Sequence, residues 1–380
     1  MIARLFAFVL LFSLAAHPAL AGQEALSDAD LLMRAGDKFA DGELPVGDQH
    51  YTLNGPRIGY IYLCRKFGDG NGGAQHVGPW FHGSMWNYKE KPSVQGAVNW
   101  PDARFSVTIE GDTRVLSGNG LPIDHPTGIF PIGRNDPASA YDRNPNSIKA
   151  QTVHEALPLN PVYSETPNCM GMEVGYMLNG VPLFNGFDAG LRDAAAHEVQ
   201  DGCQAHPQVS GQYHYHSLSS CLKDANVKTV IGYALDGFPI TGPMVTAQKY
   251  LTTGDLDECH GITSEIIQDG QPKISYHYVM TMDFPYSVSC FRAKPVRTGP
   301  PQGEGMQQGG MQGPGGSGMN NANPNGQPRK PPPEARDACE GKSVGDICGF
   351  LTPHGDQLTG TCRTPPGSGL ACVPDGMPGR

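Results

Sequence analysis

Gly175-Tyr176-Met177-Leu178-Asn179-Gly180-Val181-Pro182-Leu183 returns as Gly232-Tyr233-Ala234-Leu235-Asp236-Gly237-Phe238-Pro239-Ile240, and that repetition decides the fold. Each copy reads as a strand, an Asn-Gly or Asp-Gly turn, and a second strand. Those dipeptides are the strongest short hairpin signal, because the turn needs positive φ. A shorter echo, Asn119-Gly120-Leu121-Pro122, lies upstream. A Tyr-His-Tyr element follows each full copy, Tyr213-His214-Tyr215-His216 and then Tyr276-His277-Tyr278. The pattern predicts two related half-units packed face to face. Two copies are too few for a solenoid.

Composition supports short strands and turns. The 380 residues include 50 Gly and 34 Pro, which punctuate short apolar runs. Segments 60–64 and 105–109 read as strands. One helix is expected, over 24–40, with Ser27 as N-cap and Leu31, Leu32, Ala35 and Phe39 at helical spacing. The fold class is thus mainly β: a disulfide-stapled, β-rich domain over 45–297 with an internal two-fold repeat, behind a helical lead-in at 22–44. Residues 298–333 are Gly, Gln, Pro, Asn and Met, and read as a disordered linker. A small module with four cysteines follows at 334–380.

Residues 1–21 read as an export signal. Arg4 supplies the charge, 5–16 is apolar, and Ala19-Leu20-Ala21 is a small-residue cleavage site. The expected location is periplasmic or secreted. No later run is long enough for an integral membrane segment. The ten cysteines agree with export, since an even set in an exported chain is most simply disulfides. Their placement about the repeat suggests Cys203–Cys221 around the first His motif and Cys259–Cys290 around the second. Cys64–Cys169 is then left by elimination, one choice among fifteen. Cys339, Cys348, Cys362 and Cys372 allow three connectivities that the sequence does not separate. A net charge of −10 makes nucleic acid a poor partner and leaves a cell-envelope or glycan partner open.

His214 and His216, two apart on a strand, share one face at roughly 6–7 Å between Cα atoms. Two imidazoles on one edge are half of a first-row metal site, for which Zn or Cu is the natural ion. His277 is the expected third ligand, with His206 and His197 as further candidates. His197, His206 and His260 lie near Glu198, Asp201, Asp257 and Glu258. The competing reading makes His214 and His216 hydrogen-bonded structural residues. Asp236, Asn179 and Asp188 are most simply turn residues.

These motifs carry a resemblance. Tyr213-His214-Tyr215-His216 with Cys221-Leu222, then 231–240, Leu256-Asp257-Glu258-Cys259, Tyr276-His277-Tyr278, Phe284-Pro285-Tyr286 and Cys290-Phe291-Arg292 resemble the YHYH-domain family of exported bacterial proteins. The likeness is close over 171–294 and looser back to Trp80. Val279 stands where relatives often have a final His. The resemblance implies export and domain extent; it supplies no chemistry.

Two other classes compete. Segments 126–132 and 287–292 are faintly similar to L,D-transpeptidases, cysteine enzymes of the cell wall, though the His-Gly before the Cys is absent. That reading, a cell-wall-directed hydrolase or transferase, needs a free thiol. Trp80, Trp86 and Trp100, with Phe81 and Tyr88, would suit a carbohydrate-binding or purely structural module. The linker's Met306, Met311 and Met319 are weak soft-metal donors.

Overall fold

The two Asx-Gly turns close the hairpins at the centre of the main sheet. Gly180 and Gly237 stand at φ 89° and 92°, where a side chain would be strained. The computed structural model describes residues 24–37, 39, 41–66, 74, 76–297, 333–351, 357–364 and 370–374. The expected export signal lies outside these residues, as does the expected linker apart from Pro333.

The strands of the main sheet are numbered along the chain. The first hairpin is β1 (Glu173–Met177) and β2 (Pro182–Phe184), followed by β3 (Ala205–Pro207) and β4 (Tyr213–Tyr215). The second hairpin is β5 (Val230–Ala234) and β6 (Pro239–Thr241), followed by β7 (Gly261–Gln268) and β8 (Gln271–Val279). Their order across the sheet is β3-β4-β2-β1-β5-β6-β8-β7. It reads the same from either edge once the halves are exchanged.

The symmetry extends to single residues. β1 and β5 pair antiparallel with Tyr176 opposite Tyr233, the equivalent positions of the repeat. A two-fold axis therefore passes through that pair. Gly175 and Gly232 flank it, and a Cβ on either would fall within 2.5 Å or 2.8 Å of the facing carbonyl oxygen. β4 lies parallel to β2 through Leu183 and Tyr215, as β8 lies parallel to β6 through Ile240 and Tyr278. His206 faces His214, while Ile262 faces His277.

β1 to β6 are buried along their whole length. Four of the buried tyrosine hydroxyls are accordingly met by buried carboxylates. Tyr213 donates to Asp201, Tyr278 to Asp236, Tyr276 to Asp257 and Tyr286 to Asp193. Leu116 and Leu157, from strands Thr113–Gly118 and Val153–Pro158, join the same core.

Trp80 and Trp86 are core residues, and Trp80 donates its indole N–H to Ala196 O at 2.9 Å. Those two indoles are ordinary aromatic core, while Trp100, Phe81 and Tyr88 are half-buried. The expected helix over 24–40 is shorter: α1 covers only Asp28–Arg34, with Ser27 as its N-cap. Gly36 and Asp37 pair instead with Tyr250 and Lys249, so tertiary strand pairing overrides the helical pattern. Leu31 is buried but Leu32 is half exposed, so only part of the expected apolar face is used.

All ten cysteines are paired. The first unit, up to Met306, holds Cys64–Cys169, Cys203–Cys221 and Cys259–Cys290. The cysteine-enzyme alternative therefore has no thiol to use as nucleophile. In the second unit, Gln307–Arg380, the bonds are Cys339–Cys362 and Cys348–Cys372. They staple a three-stranded antiparallel sheet of Ile347–Leu351, Gln357–Arg363 and Ala371–Pro374.

Candidate metal centre

The β3–β4 hairpin brings three imidazoles together. Register sets His206 opposite His214, and His216 follows two residues on, on the same face. Phe184 of β2 stacks on His214 with ring centroids 4.1 Å apart. Ligand nitrogens of His206, His214 and His216 lie within 4.8 Å of one another. All three rings are buried, at 4%, 2% and 2% exposure, so they compete with no solvent partner.

The outer nitrogens fix the protons. His214 Nδ1 lies 3.0 Å from Gln212 O, and His216 Nδ1 lies 2.6 Å from Asn185 O. A carbonyl oxygen only accepts, so both rings donate from Nδ1 and leave Nε2 as a lone pair. The two Nε2 atoms are 2.9 Å apart. Two lone pairs at that distance repel unless a cation lies between them. A backbone carbonyl holding the outer N–H is also how metal-ligating histidines are oriented.

Glu198 faces the same space. Its Oε2 is 3.2 Å from His206 Nε2 and 3.7 Å from His216 Nε2. His206 Nε2 and Glu198 Oε2 thus form a buried ion pair, and neither atom has a hydrogen-bond partner outside the cluster. His206 Nδ1 has only a long contact, 3.3 Å, from Asn144 Nδ2. Glu198 caps the end of α2 (Ala194–His197), whose carbonyls Lys91 Nζ gathers by donating to Ala195 O and Glu198 O.

The charges are coupled. Burial works against an ionised Glu198, but His206, His216 and His214 outweigh it and hold the carboxyl below its usual range. Burial, then the neighbouring His206 and His216, push His214 well below the usual imidazole value. Burial brings His216 down to about 4. Burial also opposes charge on His206, yet the Glu198 carboxylate more than offsets it and raises that ring.

Two expected ligands lie elsewhere. His277 sits in the other half-unit, with Nδ1 2.9 Å from Thr241 Oγ1 and Nε2 2.8 Å from Ser264 Oγ. The two-fold axis sends it five strand steps from β4, roughly 24 Å at about 4.8 Å per step. His197, at the end of α2, turns to Asp48 at 3.0 Å and packs on Phe81. His260 bonds Thr281 Oγ1 at 3.0 Å. Asp236, Asp257 and Glu258 are committed to Tyr278, Tyr276 and Arg292. Asp188 pairs with Arg192 in a local turn. In the sequence Glu198 is only one of the acids near the outer histidines. A lone acid in a loop has no spacing that marks it, and only its place at the end of α2, beside His206, gives it a role.

The architecture is a β-rich, disulfide-stapled protein with a duplicated half-unit and a buried histidine cluster in one copy. Residues 154–250 match the family model described as YHYH protein, and the chain carries a YHYH domain there. That span holds the whole first half-unit, with His206, His214, His216 and Glu198, and the second hairpin. Comparisons with curated proteins and with solved structures each gave no match.

Proposed function

We propose that this is an exported metal-binding protein whose ion is held by His206, His214 and His216. One observation carries the reading: the facing Nε2 atoms of His214 and His216, each left as a lone pair by a carbonyl on the other side of its ring. Their 2.9 Å separation is a little under the roughly 3.3 Å expected across a tetrahedral zinc with bonds of about 2.0–2.1 Å. A small outward relaxation would admit an ion. Imidazole donors suit zinc and copper. The Cys203–Cys221 bond closes the loop that carries all three rings, which favours a preorganised site.

The test is elemental analysis of protein purified without an affinity tag. The wild type should retain one equivalent of zinc or copper. A His214→Ala/His216→Ala variant with unchanged circular dichroism should retain none. Wild-type protein that takes up no stoichiometric metal after reconstitution would leave these histidines as buried hydrogen-bonding residues and end the proposal.

A further inference from the structure

We infer that Glu198 is the fourth ligand of this centre, and that the centre selects a divalent ion, zinc(II) or copper(II), over copper(I). The inference rests on the metal-binding reading above and adds to it the donor set and the class of ion.

Glu198 is 6% exposed and lies at the end of α2. Its Oε2 borders two of the three imidazoles, and no polar group outside the cluster meets that atom. A buried carboxylate that faces imidazoles alone is placed to meet a cation held by them. Three neutral imidazoles would leave both charges of a divalent ion uncompensated in a dry site. One carboxylate removes half of that charge. Copper(I) gains less from it, because that ion is selected by soft sulfur donors, and none of the donors here is sulfur. Drawn inward from its place outside the 4.8 Å group of imidazole nitrogens, that carboxylate would complete a tetrahedral set with no open position, as in structural rather than catalytic zinc sites.

The second half-unit supplies an internal comparison. Asp201 and Asp257 are equivalent: each accepts from the N–H two residues on, Cys203 and Cys259, and from the N–H four residues on, Ala205 and Gly261. Three residues before these aspartates stand Glu198 and Gly254. Ile262 takes the place of His206, and Val279 that of His216. So where two of the imidazoles are missing, the carboxylate is missing with them. The carboxylate thus goes with the imidazole cluster it faces, not with the turn that both halves share.

The experiment uses untagged full-length protein stripped with a chelator. Zinc(II) is titrated against a competing chromogenic chelator, and copper(I) anaerobically with ascorbate, which leaves the disulfides intact. Glu198→Gln should bind zinc at least about tenfold more weakly, the scale seen even for partners one shell further out. Its copper(I) affinity should fall by a smaller factor than its zinc affinity, and an equal loss of both would overturn the selectivity. Wild-type zinc affinity in Glu198→Gln, alongside lost binding in His214→Ala, would overturn the role of Glu198 and leave the three-histidine site standing. No zinc binding by the wild type would instead overturn the metal reading itself. If Glu198→Gln does not fold by near-ultraviolet circular dichroism, the zinc-minus-apo infrared difference spectrum of the wild type decides. Carboxylate stretching bands support the inference, and their absence overturns it.

Discussion

What a histidine does here is set by what its two nitrogens meet. His214 and His277 occupy the same place in the two half-units, yet only His214 has a neighbouring imidazole at its inner nitrogen. His277 meets two hydroxyls, which donate or accept as needed, so a neutral ring is satisfied. Burial pushes His277 down to about 3. Its folded value lies below the unfolded 6.5, so its contribution to stability is present above 6.5 and is lost as pH falls toward 3. The stability gap between wild type and His277→Asn should therefore narrow by about 2–3 kcal/mol from pH 7 to 4.5, at 1.36 kcal/mol per unit. Urea denaturation at the two pH values measures it, and a gap that does not change with pH would refute the buried neutral ring. The His-x-His pair was legible in the sequence because strand alternation is local. His206 was legible only as one of several outer histidines, since it joins through cross-strand register, and Glu198 only as a nearby acid, since a helix end carries it to the rings.

Among elements, the repeated Asp-x-Cys turn carries more than its length suggests. Asp257 accepts from two backbone N–H groups, the Tyr276 hydroxyl, and Arg292 through Nε and Nη2. Arg292 and Asp257 have side chains only 3% and 1% exposed. Removing the carboxylate leaves a buried guanidinium with Glu258 as its remaining acid partner. Asp257→Ala should therefore cost about 3–5 kcal/mol, the range for breaking a buried ion pair. Asp201→Ala should cost less, because its partners are the N–H groups of Cys203, Ala205 and Gly128 and the Tyr213 hydroxyl, with no guanidinium. Chemical denaturation of the two variants in parallel gives the order, and equal losses would contradict it. The hairpins themselves could be read from Asn-Gly and Asp-Gly, because the turn geometry demands those residues. The 24–40 helix could not be bounded from its periodicity, because pairing between 36–37 and 249–250 lies more than 200 residues away in sequence.

At the scale of the molecule, Cys64–Cys169 spans 105 residues and Cys203–Cys221 spans 18. Loop-closure entropy gives about 4.7 kcal/mol for a loop near 100 residues and about 3 for a loop near 15. Replacing both cysteines of the long bridge by serine should therefore lower stability more than the same change at the short one. Comparing urea midpoints of the two double variants tests this. A larger loss at the short bridge would show that it acts through the histidine loop rather than through the unfolded chain. Mainly β character was legible because glycine and proline mark turns wherever they fall. The half-unit that holds the histidine centre was legible from His214 and His216, but its confinement to that half was not, since the motif letters are nearly the same in both and the difference lies in Ile262, Val279 and Gly254.

The Tyr176–Tyr233 pairing has one more consequence. Equivalent residues facing each other across an axis are the signature of an isologous contact, the kind that two identical subunits make in a symmetric dimer. Here both subunits are covalently joined in one polypeptide. Fusion lifts the constraint that identity imposes: a homodimer must alter both copies of a site together, whereas a fused pair can change one alone. The first copy keeps its imidazoles crowded together, and the second fills the same space with isoleucine, valine and hydroxyls. One half can thus keep the shared framework while the other carries the buried imidazoles.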